Sequence, residues 1–195
     1  DDLTSAFICS GSPVENGEIL ATLADNSATK FSSNKLETIV NLTNDQANTV
    51  KIQDSYILIK SKDNPQGLLR GQLGMIINQI YDIELSPVLI IPPVIGRNET
   101  GMASIRITDD NTLYFKLEVN NLVIGDFLKN SGINKGCDSE NGGCFMLLCK
   151  DQAEFGKSRK LILSAQEAAI LKNDDLYICV TSAQVPSGLL RGQLR

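Results

Sequence analysis

Histidine is missing from this chain: none occurs in 195 residues. Its absence excludes imidazole acid–base chemistry, Ser-His-Asp and Cys-His nucleophiles, and His-ligated zinc or copper. Tryptophan is missing too and aromatic residues make up only 5%, so a core has to be built from Ile, Leu and Val. Basic residues do not dominate: 18 Lys and Arg against 23 Asp and Glu leave a net charge of −5. That balance argues against a nucleic-acid partner, because neutralising phosphate with Lys and Arg is the main affinity term there. Long apolar runs are lacking as well. The most apolar stretch, Val88 to Ile95, is interrupted by Pro92-Pro93. It falls well short of the ~20 residues of a spanning helix, so no membrane insertion is expected. The opening Asp1-Asp2-Leu3 has the character of neither a signal nor a transit peptide and is read as a processed form. What remains, 42% hydrophobic and 21% charged, is ordinary globular composition.

The chain repeats itself. Gly67-Leu68-Leu69-Arg70-Gly71-Gln72-Leu73 recurs letter for letter from Gly188 to Leu194, an offset of 121. Holding that offset, Tyr56-Ile57 meets Tyr177-Ile178, Pro65 meets Pro186 and Lys51 meets Lys172. Further upstream, Glu15-Asn16-Gly17 recurs as Glu140-Asn141-Gly142 at an offset of 125, so a short insertion lies between. A duplicated unit of about 120 residues follows, with its first copy truncated on the N-terminal side. The expected division is 1–83, a partial repeat plus linker, and 84–195, a complete repeat.

Local patterning is mostly β. Ala103, Ile105 and Ile107 alternate with polar residues, Asp109-Asp110-Asn111 makes a turn, and Leu113, Phe115, Leu117 and Val119 resume the alternation. This is a hairpin with one buried face. Tyr56 to Ile59 and Tyr177 to Val180 read as strands, each followed by a Pro/Gly loop and a Leu-Leu-Arg-Gly-Gln-Leu strand. One short helix per repeat is expected, because Ser164-x-x-Glu167 has the form of a capping box and Thr43-x-x-Gln46 holds the equivalent place.

The segments Tyr56 to Leu73 and Tyr177 to Leu194 resemble the closing signature of the CHRD domain, the module named after chordin. The stretch Leu85 to Leu122 is similar to the opening half of that family's pattern. The resemblance implies an all-β chain: tandem immunoglobulin-like, superoxide-dismutase-like antiparallel β-sandwich modules in a secreted or cell-surface protein. The family often carries a His-x-His element and a later His. Those positions fall here at Phe7, Cys9 and Lys60 in the first copy, and at Phe127, Lys129 and Thr181 in the second. A dismutase-type metal site needs several converging imidazoles, so no metal and no cofactor is expected.

Arg70 and Arg191 are the type of residue that forks onto carboxylate or phosphate. The plainer reading, a strand Arg with its stem packed on the sheet and its head paired locally, is preferred. Leu68, Arg70 and Gln72 share one strand face, as do Leu189, Arg191 and Gln193. Apolar Leu68 and Leu189, where the family usually has an acidic residue, point to a covered second face. There are five cysteines. In a secreted chain Cys137 and Cys144 bracket a polar loop and read as a disulfide. Cys149 and Cys179 could staple the second copy, leaving Cys9 buried or bonded to another chain. Zinc is not expected from these five, since no Cys-x-x-Cys pair exists. The acidic turns at Asp109 and Asp138 lack a full calcium-loop spacing and are read as solvated. Asn41-Leu42-Thr43 and Asn98-Glu99-Thr100 are glycosylation sequons in expected loops.

No catalytic constellation emerges, and no enzyme is expected. The leading functional expectation is an extracellular structural protein, a subunit of a surface layer, matrix or fibre; the alternative is a soluble module capturing a protein factor or glycan. The truncated first copy has no counterpart of the hairpin Gly101 to Val119. A sandwich short of those strands exposes apolar surface and an unpaired edge. The expected partner is a second copy, joined head to tail, with glycan or matrix contact as a further possibility and Cys9 as a candidate intermolecular thiol.

Overall fold

The computed structural model describes residues 2–25 and 30–195. It divides into two compact units, Asp1–Ile76 and Ile77–Arg195. Both are β structures with one short helix each.

The first unit runs β1 (Leu3–Ser10), β2 (Ile19–Ala24), helix α1 (Asn44–Ile52), β3 (Ser55–Ser61) and β4 (Leu69–Gln72). Its strands form one antiparallel sheet in the order β2-β1-β3-β4. Helix α1 starts where the sequence places it. Thr43 Oγ1 accepts from the Gln46 amide at 3.2 Å, and Gln46 Oε1 accepts from the Thr43 amide at 2.8 Å.

The second unit runs β5 (Ile77–Leu85), β6 (Thr100–Thr108), β7 (Thr112–Asn120), β8 (Leu128–Lys135), β9 (Cys144–Cys149), β10 (Arg159–Ile162), α2 (Ala165–Asn173), β11 (Leu176–Ser182) and β12 (Leu190–Gln193). Most of the segment from Met75 to Ile83, expected as the linker that closes the partial repeat, is β5 itself, which pairs with β6 from Ile77 to Leu85. Two antiparallel sheets result, β10-β7-β6-β5 and β12-β11-β8-β9. The hairpin β6–β7 turns through Asn111, which takes the left-handed conformation at φ 62°.

One core lies between these two sheets. Ala103, Ile105, Leu113, Phe115 and Leu117 from one sheet meet Ile133, Ile178, Val180 and Leu190 from the other. Each such aliphatic or aromatic side chain contributes about 1.5–3 kcal/mol when fully withdrawn from water. Helix α2 has the Ser164/Glu167 capping box and buries Leu171 against this core.

Strand order relates the units. The sheet β9-β8-β11-β12 of the second repeats as β2-β1-β3-β4 of the first. The sheet β10-β7-β6-β5 has no counterpart among the described residues of the first unit.

Candidate functional site: two arginine clamps and an open sheet face

Each unit holds one arginine in the same way. Gly136 ends β8 at φ 135°, and a Cβ there would meet the Glu140 carbonyl at 3.1 Å and the Tyr177 ring at 3.3 Å. Only glycine lets the loop after it fold back so closely. That loop offers its oxygens to Arg191, whose Nη2 donates to Cys137 O at 2.5 Å and Glu140 O at 3.0 Å. Nη1 donates to Asn141 Oδ1 at 3.0 Å, while the guanidinium stacks 3.6 Å over Tyr177. Gln193 Nε2 donates to Gly136 O at 2.9 Å.

The first unit repeats the set at Gly11, Ser12, Glu15, Asn16, Tyr56, Arg70 and Gln72. Arg70 donates to Ser12 O at 2.6 Å, Glu15 O at 3.0 Å and Asn16 Oδ1 at 2.7 Å, and stacks 3.6 Å over Tyr56. Gln72 Nε2 donates to Gly11 O at 3.0 Å. Both arginines are thus held by their own loops, which makes them clamps between a strand and a loop.

The shared scaffold exposes a difference in what covers it. Leu189 and Leu190 are fully buried, whereas Leu68 and Leu69 are 39% and 58% exposed. Gly192 touches the other sheet so closely that a Cβ would lie 2.5 Å from Glu84 O; a Cβ at Gly71 would meet nothing within 4 Å. Ile133, Ile178 and Val180 are fully buried, but their counterparts Ile8, Ile57 and Ile59 are only half-buried. Helix α1 buries no side chain, where α2 buries Leu171. The inner face of the first unit is an apolar sheet surface open to solvent.

A buried ionic cluster, not anticipated from sequence, ties two loops of the second unit together. Arg97 pairs with Glu99 at 2.7 Å and with Asp126 at 2.5 Å, both carboxylates being shielded from solvent. Asp126 also accepts from Ser182 Oγ at 2.7 Å and from the amides of Phe127 and Gln184 at 2.9 and 3.0 Å. Burial works to raise its carboxyl, but the hydrogen bonds of Arg97, Ser182 and the two amides outweigh it and bring the pKa to about 2. Glu99 is likewise lowered: burial opposes ionisation, and Arg97 with the Val123 amide overrides it. The alternation of residues in Arg97-Asn98-Glu99 was the only signal, and it is a weak one.

No disulfide joins any of the five cysteines in the structure. Cys137 Sγ sits 3.1 Å from Ser139 Oγ in the clamp loop. Cys149 belongs to the core of the second unit, while Cys179, one residue from Val180, lies on the opposite face of a neighbouring sheet position, with β8 between them. The structure therefore does not bring Cys149 and Cys179 together. Cys9 is buried beside Tyr56, its thiol pushed up by burial. The sequon asparagines Asn41 and Asn98 are both exposed.

One correspondence needs correction. Register pairs Phe7 with Leu58 and Cys9 with Tyr56, and it pairs Gly132 with Cys179 and Asn134 with Tyr177. The second-unit equivalents of Phe7 and Cys9 are therefore Gly132 and Asn134, not Phe127 and Lys129. The insertion falls after the clamp loop, so the 125-residue offset governs β1 and β8.

The two units are copies of one antiparallel β module, the first with one sheet and the second with two among the described residues. The chain belongs to the CHRD domain family, whose model matches residues 1–73 and 81–194. CHRD domains are typically extracellular modules. No curated protein and no solved structure matches the chain. No helix among the described residues is long and apolar enough to cross a membrane.

Proposed function

We propose that this chain is a non-enzymatic extracellular structural module that assembles by sheet-on-sheet association, building a surface layer, matrix or fibre. One observation carries the reading: Leu69 is 58% exposed while Leu190, at the same place in the same signature, is fully buried under a second sheet. Two sheets that bury their apolar faces stack about 10 Å apart, so the surface that satisfies the first unit is another β-sheet. A second copy of the chain supplies one. Contact between identical faces closes as a dimer, and head-to-tail contact onto a different surface propagates as a filament.

Sedimentation velocity over a wide concentration range tests this. The native chain is expected to associate and Leu69→Glu to stay monomeric with its second unit intact. A native chain that remains monomeric at millimolar concentration overturns self-assembly and favours the alternative, a soluble module whose open face takes a foreign protein.

A further inference from the structure

The second unit carries a pair of thiols that its own repeat partner lacks. Cys144 opens β9 opposite Asn134, and its sulfur lies diagonally over Gly132: a Cβ on that glycine would be 2.9 Å from Cys144 Sγ. On the other side of β8, Cys179 stands directly opposite Gly132 in register. Both thiols line one outward-facing cavity of about 300 Å³, together with Gly132 and Arg191.

In the first unit the equivalent trio is Ile19, Phe7 and Leu58. Three neighbouring apolar residues have thus become Cys-Gly-Cys. Phe7 of the central strand in one unit is a glycine in the other. We propose that Cys144 and Cys179 form a two-thiolate site for a soft monovalent d¹⁰ cation, Cu(I), with Gly132 providing the gap in which it sits.

Geometry excludes the simpler outcome. Adjacent strands lie about 4.8 Å apart, so residues on strands either side of β8 have Cα atoms beyond the ~7 Å limit for a disulfide. A metal bridge spans more. Two bonds of about 2.3 Å, the metal–thiolate length of zinc sites, reach about 4.6 Å between sulfurs. The Cys179 Cβ is about 4.5–5.5 Å from a Cβ position at Gly132; its thiol rests beside Gly188, where a Cβ would lie 3.1 Å from the sulfur, and turns toward Cys144 to bridge the metal. Thiolates favour Cu(I), zinc and Fe–S clusters among biological metals, and of these Cu(I) is the one that two ligands can hold. Zinc needs four ligands, and no group of three His, Cys, Asp or Glu able to hold a metal exists among the described residues.

Charge also balances locally. Binding breaks two S–H bonds, forms two S–Cu bonds, releases two protons to solvent and leaves the metal's oxidation state unchanged. The resulting single negative charge faces the Arg191 guanidinium. Arg191 stands directly opposite Cys179 in register on β12 and lines the same cavity as both thiols.

The test is anaerobic titration of the reduced full chain with Cu(I) against a chromogenic Cu(I) chelator, with thiol counting before and after. The native chain is expected to hold one Cu(I) and to lose two reactive thiols. Cys144→Ser and Cys179→Ser should each abolish tight binding, and Cys137→Ser should leave it intact. Gly132→Phe, which restores the residue of the first unit, should abolish binding with both thiols still present. If that variant misfolds by circular dichroism, the cysteine variants decide alone. Tight binding that survives loss of both cysteines overturns the site. So does native protein in which Cys144 is recovered disulfide-bonded to Cys137. Neither result bears on sheet association, which rests on the other unit.

Discussion

Leu190 is fully buried and Leu69, its equivalent 121 residues earlier, is more than half exposed, although the seven residues around each are identical. Identical local sequence gives an identical strand in both places; what differs is whether a second sheet lies over it. The energetic weight of the two leucines must differ accordingly. Leu190→Ala removes a core side chain and should destabilise the second unit by about 2–5 kcal/mol. Leu69→Ala should cost the monomeric chain about 0.5 kcal/mol or less. Denaturant unfolding of both variants at low protein concentration checks the contrast, and equal losses would show that the Leu69 face is covered within one chain.

The arginine clamps make a second asymmetric pair. Arg191 is 2% exposed, so Arg191→Ala leaves the carbonyls of Cys137 and Glu140 short of a donor in a dry site. A loss of about 1–3 kcal/mol for each stranded group is expected. Arg191→Lys should recover little of it, since an ammonium cannot fork onto two carbonyls while stacking on Tyr177. Arg70→Ala, at an exposed position where water replaces the guanidinium, should cost clearly less.

Removing the cation from the buried ionic cluster should be among the most damaging single changes. Arg97→Ala leaves Glu99 and Asp126 both shielded and without their shared counter-charge. Breaking a buried pair from one side costs about 3–5 kcal/mol. Thermal unfolding of Arg97→Ala against Arg97→Lys measures it, with a smaller deficit for the lysine.

The same cluster sets an acid limit. The folded-state pKa of Asp126, about 2, lies below the ordinary aspartate value near 3.9. Its contribution is therefore complete above about pH 4 and is lost as pH falls through 2, because the unfolded chain binds the proton first. Glu99, shifted the same way, adds to the loss. Stability followed from pH 5 to pH 2 should fall in the native protein and much less in Asp126→Asn. With no histidine in the chain, stability should change little between pH 6 and 8.

Much of this was legible in the sequence where chemistry and chain distance coincide. The capping boxes at Thr43 and Ser164 act over three residues, and the 103–119 hairpin is written in its own alternation. That the described residues of the first unit hold no counterpart of the sheet β10-β7-β6-β5 follows from counting which half of the repeat lacks a copy. The ionic cluster and the thiol pair were not visible, because Arg97 meets Asp126, and Cys144 and Cys179 come to line one cavity, only through segments far apart in sequence. No local motif encodes that register. The signal that was available, the exchange of Ile19, Phe7 and Leu58 for Cys144, Gly132 and Cys179, emerges only after the offset is reset from 121 to 125.

The clamps also bear on how such modules resist force. Arg70 and Arg191 each sit on the final strand of their sheet and grip the loop that follows β1 or β8, across the intervening Tyr-bearing strand. A tug on either strand that would peel it away one backbone bond at a time must first unlatch a fork, a ring stack and a glutamine bond together. The fastening lies on the outer face, away from the buried layer. In the first unit the same latch joins strand and loop without drawing on a layer of apolar side chains, so its geometry does not depend on what covers the other face of the sheet.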